Sequence, residues 1–173
     1  DPWALLSLSI RDDETVQRAG QLSAPRQSSG GETFAIAEEL LRRNASHRIL
    51  FIGTERGLEK KILGGLGLAL RTIRVEGIKG RGPMQTLGAV AKIPGSLVAS
   101  SRILREFGPD IVVGVGGYAS GPAVLAARLM GVKTAIAEQN AFPGLTNRIL
   151  GRFTDRIFLA FSASQRWFPK KRT

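Results

Sequence analysis

A short apolar run that ends in a cluster of glycines, Asp110 to Pro122, constrains the fold of this chain more than any other stretch. Its β-branched start, Ile111 to Val113, favours a strand that is buried on both faces. Glycines follow at positions 114, 116 and 117, and Ser120 and Pro122 then mark the start of a helix, with Ser120 as the predicted N-cap. The stretch predicts a strand, a glycine turn and a helix in immediate succession.

The glycine turn has two interpretations. A turn that joins a strand to a helix N-terminus presents backbone N–H groups, which can hold a phosphate or diphosphate. Tyr118 and Ser120 would add hydroxyl donors to such a site. In the alternative interpretation the glycines serve only the backbone angles of a tight turn, Tyr118 is a packed aromatic residue and Ser120 is a helix cap. The pattern alone leaves both interpretations open.

Predicted strands and helices alternate along most of the chain. The predicted strands are 48–52, 70–75, 111–113, 133–137 and 155–159, and the predicted helices are 33–43, 57–63, 84–107 with a kink or restart at Pro94, 123–130 and 145–150. Such alternation is typical of a Rossmann-like α/β fold, a parallel sheet with helices on both faces. Ligands of these sheets bind beyond the carboxyl ends of the strands.

Three polar or glycine-rich stretches follow predicted strands and should therefore meet at one edge of the sheet, called the rim below: Gly53-Thr54, Gly114 to Tyr118 and Glu138 to Asn140. A carboxylate and an amide at a strand end can hydrogen-bond sugar hydroxyls, or act as a base and the group that orients it. This makes Glu138 a candidate catalytic residue and Asn140 a candidate sugar-binding residue. The alternative is that these residues only begin a polar loop.

The charge of the chain favours an anionic partner. Its 25 Lys and Arg against 14 Asp and Glu give a net charge of +11, which suits nucleic acid, a phosphorylated ligand or an anionic membrane surface. The sequence shows no recognition-helix signature and no interleaved aromatic residues, so nucleic acid is not the expected partner. With no Cys and a single His, His47, interpreted as a surface or capping residue, we expect neither a thiolate nucleophile nor a metal centre.

One glycine-rich loop places basic residues beside an apolar helical stripe. Lys79 and Arg81 precede Met84 and Leu87, which begin the stripe. Basic residues next to an apolar helix face can anchor a protein on an anionic membrane, and we predict these four residues to face the membrane. In the alternative interpretation the stripe covers the sheet and its basic neighbours are solvated.

Four segments together resemble the MurG family, the N-acetylglucosaminyltransferases that make the lipid-linked precursor of peptidoglycan. They are Phe51-Ile-Gly-Thr-Glu-Arg-Gly-Leu-Glu59, Gly77-Ile-Lys-Gly-Arg-Gly82, Pro109-Asp-Ile-Val-Val-Gly-Val-Gly-Gly-Tyr-Ala-Ser-Gly-Pro122 and Glu138-Gln-Asn-Ala-Phe-Pro-Gly-Leu-Thr-Asn147. The resemblance runs in register from about Gly30 to the end of the sequence.

The resemblance implies the N-terminal half of a GT-B glycosyltransferase with two Rossmann-like domains. Such an enzyme transfers N-acetylglucosamine from UDP-N-acetylglucosamine to undecaprenyl-diphospho-muramoylpentapeptide, without a cofactor or a metal, as a peripheral protein on the cytoplasmic face of the bacterial inner membrane. Carried over by motif, Asn140 would contact the donor sugar and Glu138 would lie in the cleft. The second glycine-rich loop would approach the acceptor diphosphate through Gly116, Gly117, Tyr118 and Ser120.

The amino end departs from the family pattern. Of the first glycine-rich loop, Gly-Gly-Thr-Gly-Gly-His, only Gly30-Gly31 is present, and Glu32 stands where the His is expected. Ala137 likewise replaces the His of His-Glu-Gln-Asn. We expect residues 1–29 to be atypical, as loop or disorder with a weak strand-like alternation at Leu6, Leu8 and Ile10.

The expected organisation places an acceptor-binding domain at residues 30–160 and the start of an interdomain linker at 161–173. The nucleotide-sugar domain of the family has no counterpart in this sequence, so we expect the chain to be inactive alone. The alternative is a lipid-diphosphate-binding membrane subunit that recruits a separate donor-binding chain.

Overall fold

A computed structural model describes residues 5–9, 31–54, 69–75, 93–117 and 119–173 of the chain. Several sequence predictions lie outside these residues. They are the helix at 57–63, the first part of the helix at 84–107, the role of Tyr118, and the membrane-facing role of Lys79, Arg81, Met84 and Leu87.

A six-stranded sheet organises the described residues, in the order β3-β2-β1-β4-β5-β6. The strands are β1 Leu5–Ser9, β2 Arg48–Thr54, β3 Ala69–Ile73, β4 Ile111–Gly114, β5 Lys133–Glu138 and β6 Arg156–Leu159. The helices are α1 Gly31–Arg43, α2 Ile93–Phe107, α3 Ser120–Leu129 and α4 Leu145–Leu150, and two 3₁₀ turns follow at Ser162–Trp167 and Lys170–Arg172.

Strand β1 differs from the prediction for the amino end. Instead of loop or disorder, Leu5–Ser9 forms a central strand, as the alternation at Leu6 and Leu8 indicated. It lies antiparallel to both β2 and β4, whereas the pairs β2–β3, β4–β5 and β5–β6 are parallel as predicted. A central strand between two others satisfies the backbone N–H and C=O groups on both sides, in either direction.

Both faces of the sheet are covered by helices, as predicted. Along β2, Ile49 and Phe51 pack with Ala37 and Leu40 of α1 on one face. The alternate residues Leu50 and Ile52 face the other side, in a cluster with helical residues such as Leu104, Val124 and Leu150. Because the strand residues on both faces are buried, their β-branched and apolar run needs no polar alternation.

Two helix ends match the local sequence signals. Pro94 lies in the first turn of α2, where its missing N–H costs no helical hydrogen bond. His47, predicted to be a surface or capping residue, follows α1, and its Nδ1 lies 3.0 Å from the carbonyl oxygen of Leu40 in the last turn of that helix. In the part of the chain that the structure describes, no helix is both long enough and apolar enough to cross a bilayer.

The last residues fold back onto the domain. Phe168 is buried in the same cluster as Leu150, and it packs so closely on Gly151 that a Cβ there would lie 2.5 Å from its ring. Arg172 Nη1 donates to the carbonyl oxygen of Thr154 at 2.5 Å. Within residues 161–173, predicted as the start of a linker, Phe168 thus supplies a core side chain while most of its neighbours are exposed.

Candidate functional site

The predicted rim exists at the carboxyl ends of β2, β4 and β5. Strands β2 and β4 run the same way because each is antiparallel to β1, and β5 is parallel to β4. The ends of β4 and β5 are joined directly, since Gln139 Nε2 donates to the carbonyl oxygen of Val115 at 3.4 Å. The glycine turn and the polar residues after β5 are therefore neighbours, as the sequence predicted.

Each glycine of the turn is required either by its backbone angles or by close packing. Gly116 and Gly117 have φ angles of 99° and 80°, in the left-handed region that side chains rarely adopt. Gly114 has no such angle, but a Cβ there would lie 2.9 Å from Val124 Cγ2, so it allows β4 to approach α3. The turn leads directly into the N-terminus of α3, the arrangement that presents backbone N–H groups to an anion.

Ser120 holds the turn closed. Its hydroxyl donates a short hydrogen bond to the carbonyl oxygen of Gly116, and the residue is fully buried. The N-cap of α3 is Ala119, so the prediction of Ser120 as N-cap is wrong by one residue. A serine hydroxyl has one proton to donate, and Gly116 takes it, so this geometry does not support Ser120 as a phosphate donor.

Glu138 is the centre of a hydrogen-bond network under the loop that follows β5, residues 139–144, called the rim loop. The side chain is buried, with 2% exposure. Oε1 accepts from the backbone N and the Nδ2 of Asn140, at 2.9 and 3.0 Å. Oε2 accepts from the backbone N of Gly144 at 3.2 Å and from Asn147 Nδ2 at 3.0 Å.

These contacts bear on the catalytic role predicted for Glu138, which stays a prediction. Both oxygens are occupied by donors of the protein, and the group is closed to solvent. A base must instead reach a proton of the substrate. In the structure, Glu138 holds the rim loop between the end of β5 and the start of α4.

Asn147 is the site residue that sequence reasoning did not single out. It is 3% exposed, and its Nδ2 donates to Glu138 Oε2 and, at 3.2 Å, to the carbonyl oxygen of Ala137. Its Oδ1 is buried and accepts no hydrogen bond within the described part of the chain. The available signal was its spacing: Asn147 lies three residues before the buried Leu150, on the inner face of α4, where a polar residue needs a partner.

Asn140 presents an unused acceptor at the rim. The residue is exposed, and its Nδ2 is held by Glu138 Oε1. Its Oδ1 has no partner among the residues described. An amide fixed in this way can accept a hydrogen bond from a hydroxyl of a bound sugar. Tyr118, the other predicted rim side chain, lies outside the described residues.

Metal ligands are not grouped at this site. Within the described ranges, the structure has no cluster of three or more His, Asp or Glu side chains that could hold a metal ion. The hydrogen-bonding groups found at the rim are backbone amides and the side chains of Glu138, Gln139, Asn140 and Asn147. Of these groups, the backbone amides suit recognition of a phosphate and the exposed amide of Asn140 suits recognition of a sugar hydroxyl.

The fold and this rim define the class of protein. The model of the glycosyltransferase family 28 N-terminal domain matches residues 33–159, and the chain belongs to that family. A solved structure, the crystal structure of Acinetobacter baumannii MurG, superimposes with a TM-score of 0.57 at 35% identity, over 68% of this chain and 34% of that one. The architecture is therefore that of the N-terminal half of a GT-B glycosyltransferase.

Curated relatives are similar over the same part of the chain. A protein of Syntrophus aciditrophicus is 63% identical over 147 residues, which are 83% of this chain and 41% of the relative. One of Geotalea uraniireducens is 48% identical over 148 residues, or 84% and 40%. Both are named UDP-N-acetylglucosamine--N-acetylmuramyl-(pentapeptide) pyrophosphoryl-undecaprenol N-acetylglucosamine transferase. The chain spans about two fifths of the length of these relatives.

Proposed function

We propose that this chain is the acceptor-binding half of an N-acetylglucosaminyltransferase of peptidoglycan precursor synthesis. The enzyme transfers N-acetylglucosamine from UDP-N-acetylglucosamine to undecaprenyl-diphospho-muramoylpentapeptide. The observation that carries the proposal is the rim itself, where an exposed amide and a glycine turn at a helix N-terminus lie side by side. The 63% identity to a relative with this activity in its name supports the choice of substrates.

In this proposal the acceptor diphosphate lies at the glycine turn. Backbone N–H groups of Gly116 and Gly117 and the first turn of α3 provide donors for its oxygens. Asn140 faces the donor sugar, and its Oδ1 accepts from a sugar hydroxyl. Glu138 keeps Asn140 and the rim loop in place and does not itself meet the substrate.

A second domain, of the kind the relatives carry beyond the matched region, would hold UDP-N-acetylglucosamine. Transfer requires donor and acceptor in one cleft, because orientation contributes a large part of the rate. This chain alone would bind the acceptor without turning it over. The protein would work at the cytoplasmic face of the inner membrane, where its lipid acceptor is accessible.

The outer face of α4 supports a membrane-facing orientation. Leu145 and Ile149 of α4 are 68% and 50% exposed, and Phe153, three residues beyond the helix, is 49% exposed. Arg148 and Arg152 alternate with them and are also exposed. An apolar face with basic neighbours is suited to the surface of an anionic bilayer.

The experiment that tests the proposal is a transfer assay on a chimera, in which this chain is followed by the remainder of the Syntrophus aciditrophicus relative. We expect the chimera to transfer N-acetylglucosamine to the lipid-linked acceptor and the chain alone to show none. Asn140→Ala should lower kcat/KM of the chimera about tenfold or more, since it removes a polar contact to the substrate.

Asn44→Ala is the matched control, because Asn44 is an exposed amide that follows the C-terminal end of α1, at the edge of the sheet opposite the rim. Its kcat/KM should stay near that of the unchanged chimera. Turnover by the chain alone, or equal effects of the two substitutions, would contradict the proposal.

A further inference from the structure

Two arginines and two aromatic rings form a compact cluster beside the rim loop. Arg148 of α4 lies over the Trp167 ring, with its Cζ 4.1 Å from the ring centroid. Arg166 lies 5.5 Å from the same ring and 5.5 Å from the ring of Phe142, which belongs to the rim loop. We call these four residues the Arg–Trp cluster.

The cluster is anchored, although its members are exposed. Trp167 precedes Phe168, which is buried against Gly151 at the end of α4. Arg148 follows Asn147, which is fixed to Glu138. The two guanidinium groups are therefore held from two elements that are each fixed to the core, and aromatic stacking lowers their freedom further.

The charges of the cluster are not compensated within the described part of the chain. Neither Arg148 nor Arg166 forms an ion pair there, in contrast to Arg42, Arg43, Arg71 and Arg128. Two cations that share one ring repel each other, and an anion bound between them would offset this repulsion. An aromatic ring has no lone-pair acceptor, so the planar N–H edges of both guanidinium groups stay available.

We propose that the Arg–Trp cluster is a binding site for a phosphate group. A phosphate monoester carries up to about two negative charges on three or more oxygens, so it can balance and accept from both guanidinium groups, whereas a single carboxylate carries one charge. The neighbouring Phe142 and Leu145, 72% and 68% exposed, suit a phosphate that is attached to an apolar chain. Such a phosphate belongs to a lipid headgroup, and a soluble phosphate ester offers the same chemistry.

The site is separate from the glycine turn and shares Arg148 and Leu145 with the proposed membrane-facing surface, so it deepens that part of the proposed function, whereas it does not depend on the transferase activity. Its test uses the purified 173-residue chain and two probes. One probe is a set of vesicles of phosphatidylcholine with and without phosphatidic acid, measured by co-sedimentation. The other is glycerol 3-phosphate in solution, measured by titration calorimetry. Binding to vesicles alone identifies a lipid phosphate, binding to the soluble ester alone identifies a soluble ligand, and either result supports the site.

Substitutions at Trp167 separate the site from general charge attraction. Trp167→Leu keeps the net charge and should weaken binding about tenfold, because the guanidinium groups lose the ring that aligns them. Trp167→Phe keeps a ring and should retain most of the binding. Both variants are compared at equal folded fraction, from thermal unfolding.

Charge itself is tested with two double variants of equal net charge. Arg148→Gln with Arg166→Gln should lose binding more than tenfold. Arg102→Gln with Arg105→Gln, two exposed arginines of α2, should change it little. The proposal is overturned if neither probe binds, if both double variants lose binding equally, or if Trp167→Leu binds as the unchanged chain does.

Discussion

At the scale of single residues, the site depends on which way a few polar atoms point. Sequence reasoning placed Glu138 and Asn140 at the rim, because both follow an apolar strand. It did not show that both oxygens of Glu138 turn inward to protein donors, nor that Asn147 provides one of them. The apolar pattern encodes which face is buried, whereas the direction of a side-chain oxygen depends on the donors that the fold brings to it.

Substitution of Asn147 tests this network. Asn147→Ala removes the hydrogen bonds that Nδ2 donates to the carbonyl oxygen of Ala137 and to Glu138 Oε2, and leaves that buried carboxylate oxygen with the Gly144 N–H as its remaining donor. We expect the free energy of unfolding to fall by about 3 kcal/mol, measured by urea denaturation. Asn140→Ala, which removes an exposed donor from the same carboxylate, should cost less than about 1 kcal/mol. Equal losses of unfolding free energy for the two variants would contradict the expectation that the buried hydrogen bonds of Asn147 stabilise the fold more than the exposed one of Asn140.

Glu39 gives a pH dependence at the same scale. Hydrogen bonds from Arg42 and Arg43 lower the pKa of the Glu39 carboxyl from 4.5 to about 2. The folded pKa lies below the unfolded one, so this stabilisation is present above pH 4.5 and is lost as the pH falls toward 2. Glu39→Gln should therefore have a lower free energy of unfolding than the unchanged chain at neutral pH. This difference should vanish in acid, where the Glu39 carboxyl is protonated. A difference that stays constant between pH 7 and about 2 would refute this linkage.

At the scale of elements, the periodicity of the sequence predicted most of the strands and helices but not the direction of strand β1. The β-branched runs and amphipathic helices identified β2, β4, β5 and the helices on both faces of the sheet. Strand β1 was harder, because Leu and Ser alternate over only four of its five residues and give a weak signal. An alternation with a period of two is the same whichever way the strand runs, so the sequence could not encode that β1 is antiparallel.

Cross-linking tests the direction of β1. The chain has no cysteine, so introduced pairs can be interpreted directly. Ser9 is paired with Arg48 across the antiparallel ladder, and such partners lie within the Cα separation that a disulfide spans. Ser9→Cys with Arg48→Cys should therefore cross-link under mild oxidation, and Ser9→Cys with Thr54→Cys should not, as judged by mobility on a non-reducing gel. The reverse outcome would mean that β1 runs parallel to β2.

At the scale of the whole molecule, a strongly basic chain carries the proposed acceptor site at one edge of its sheet. The net charge of +11 indicated an anionic partner without identifying it, because charge alone carries no geometry. The fold supplies that geometry, with a glycine turn at a helix N-terminus beside the exposed Asn140. The chain belongs to a glycosyltransferase family and spans about two fifths of its curated relatives, so its proposed task is to hold one substrate of the reaction.

The most direct test of this central claim is the affinity of the purified chain for undecaprenyl-diphospho-muramoylpentapeptide in nanodiscs, measured against undecaprenyl phosphate as the control lipid. We predict saturable binding of the diphosphate-linked sugar, weakened about tenfold by Gly117→Ala, because a side chain strains the left-handed turn that presents the backbone donors. The variant should bind the control lipid as the unchanged chain does. If the chain does not prefer the acceptor, or if Gly117→Ala binds it with unchanged affinity while folded, the rim is not an acceptor site.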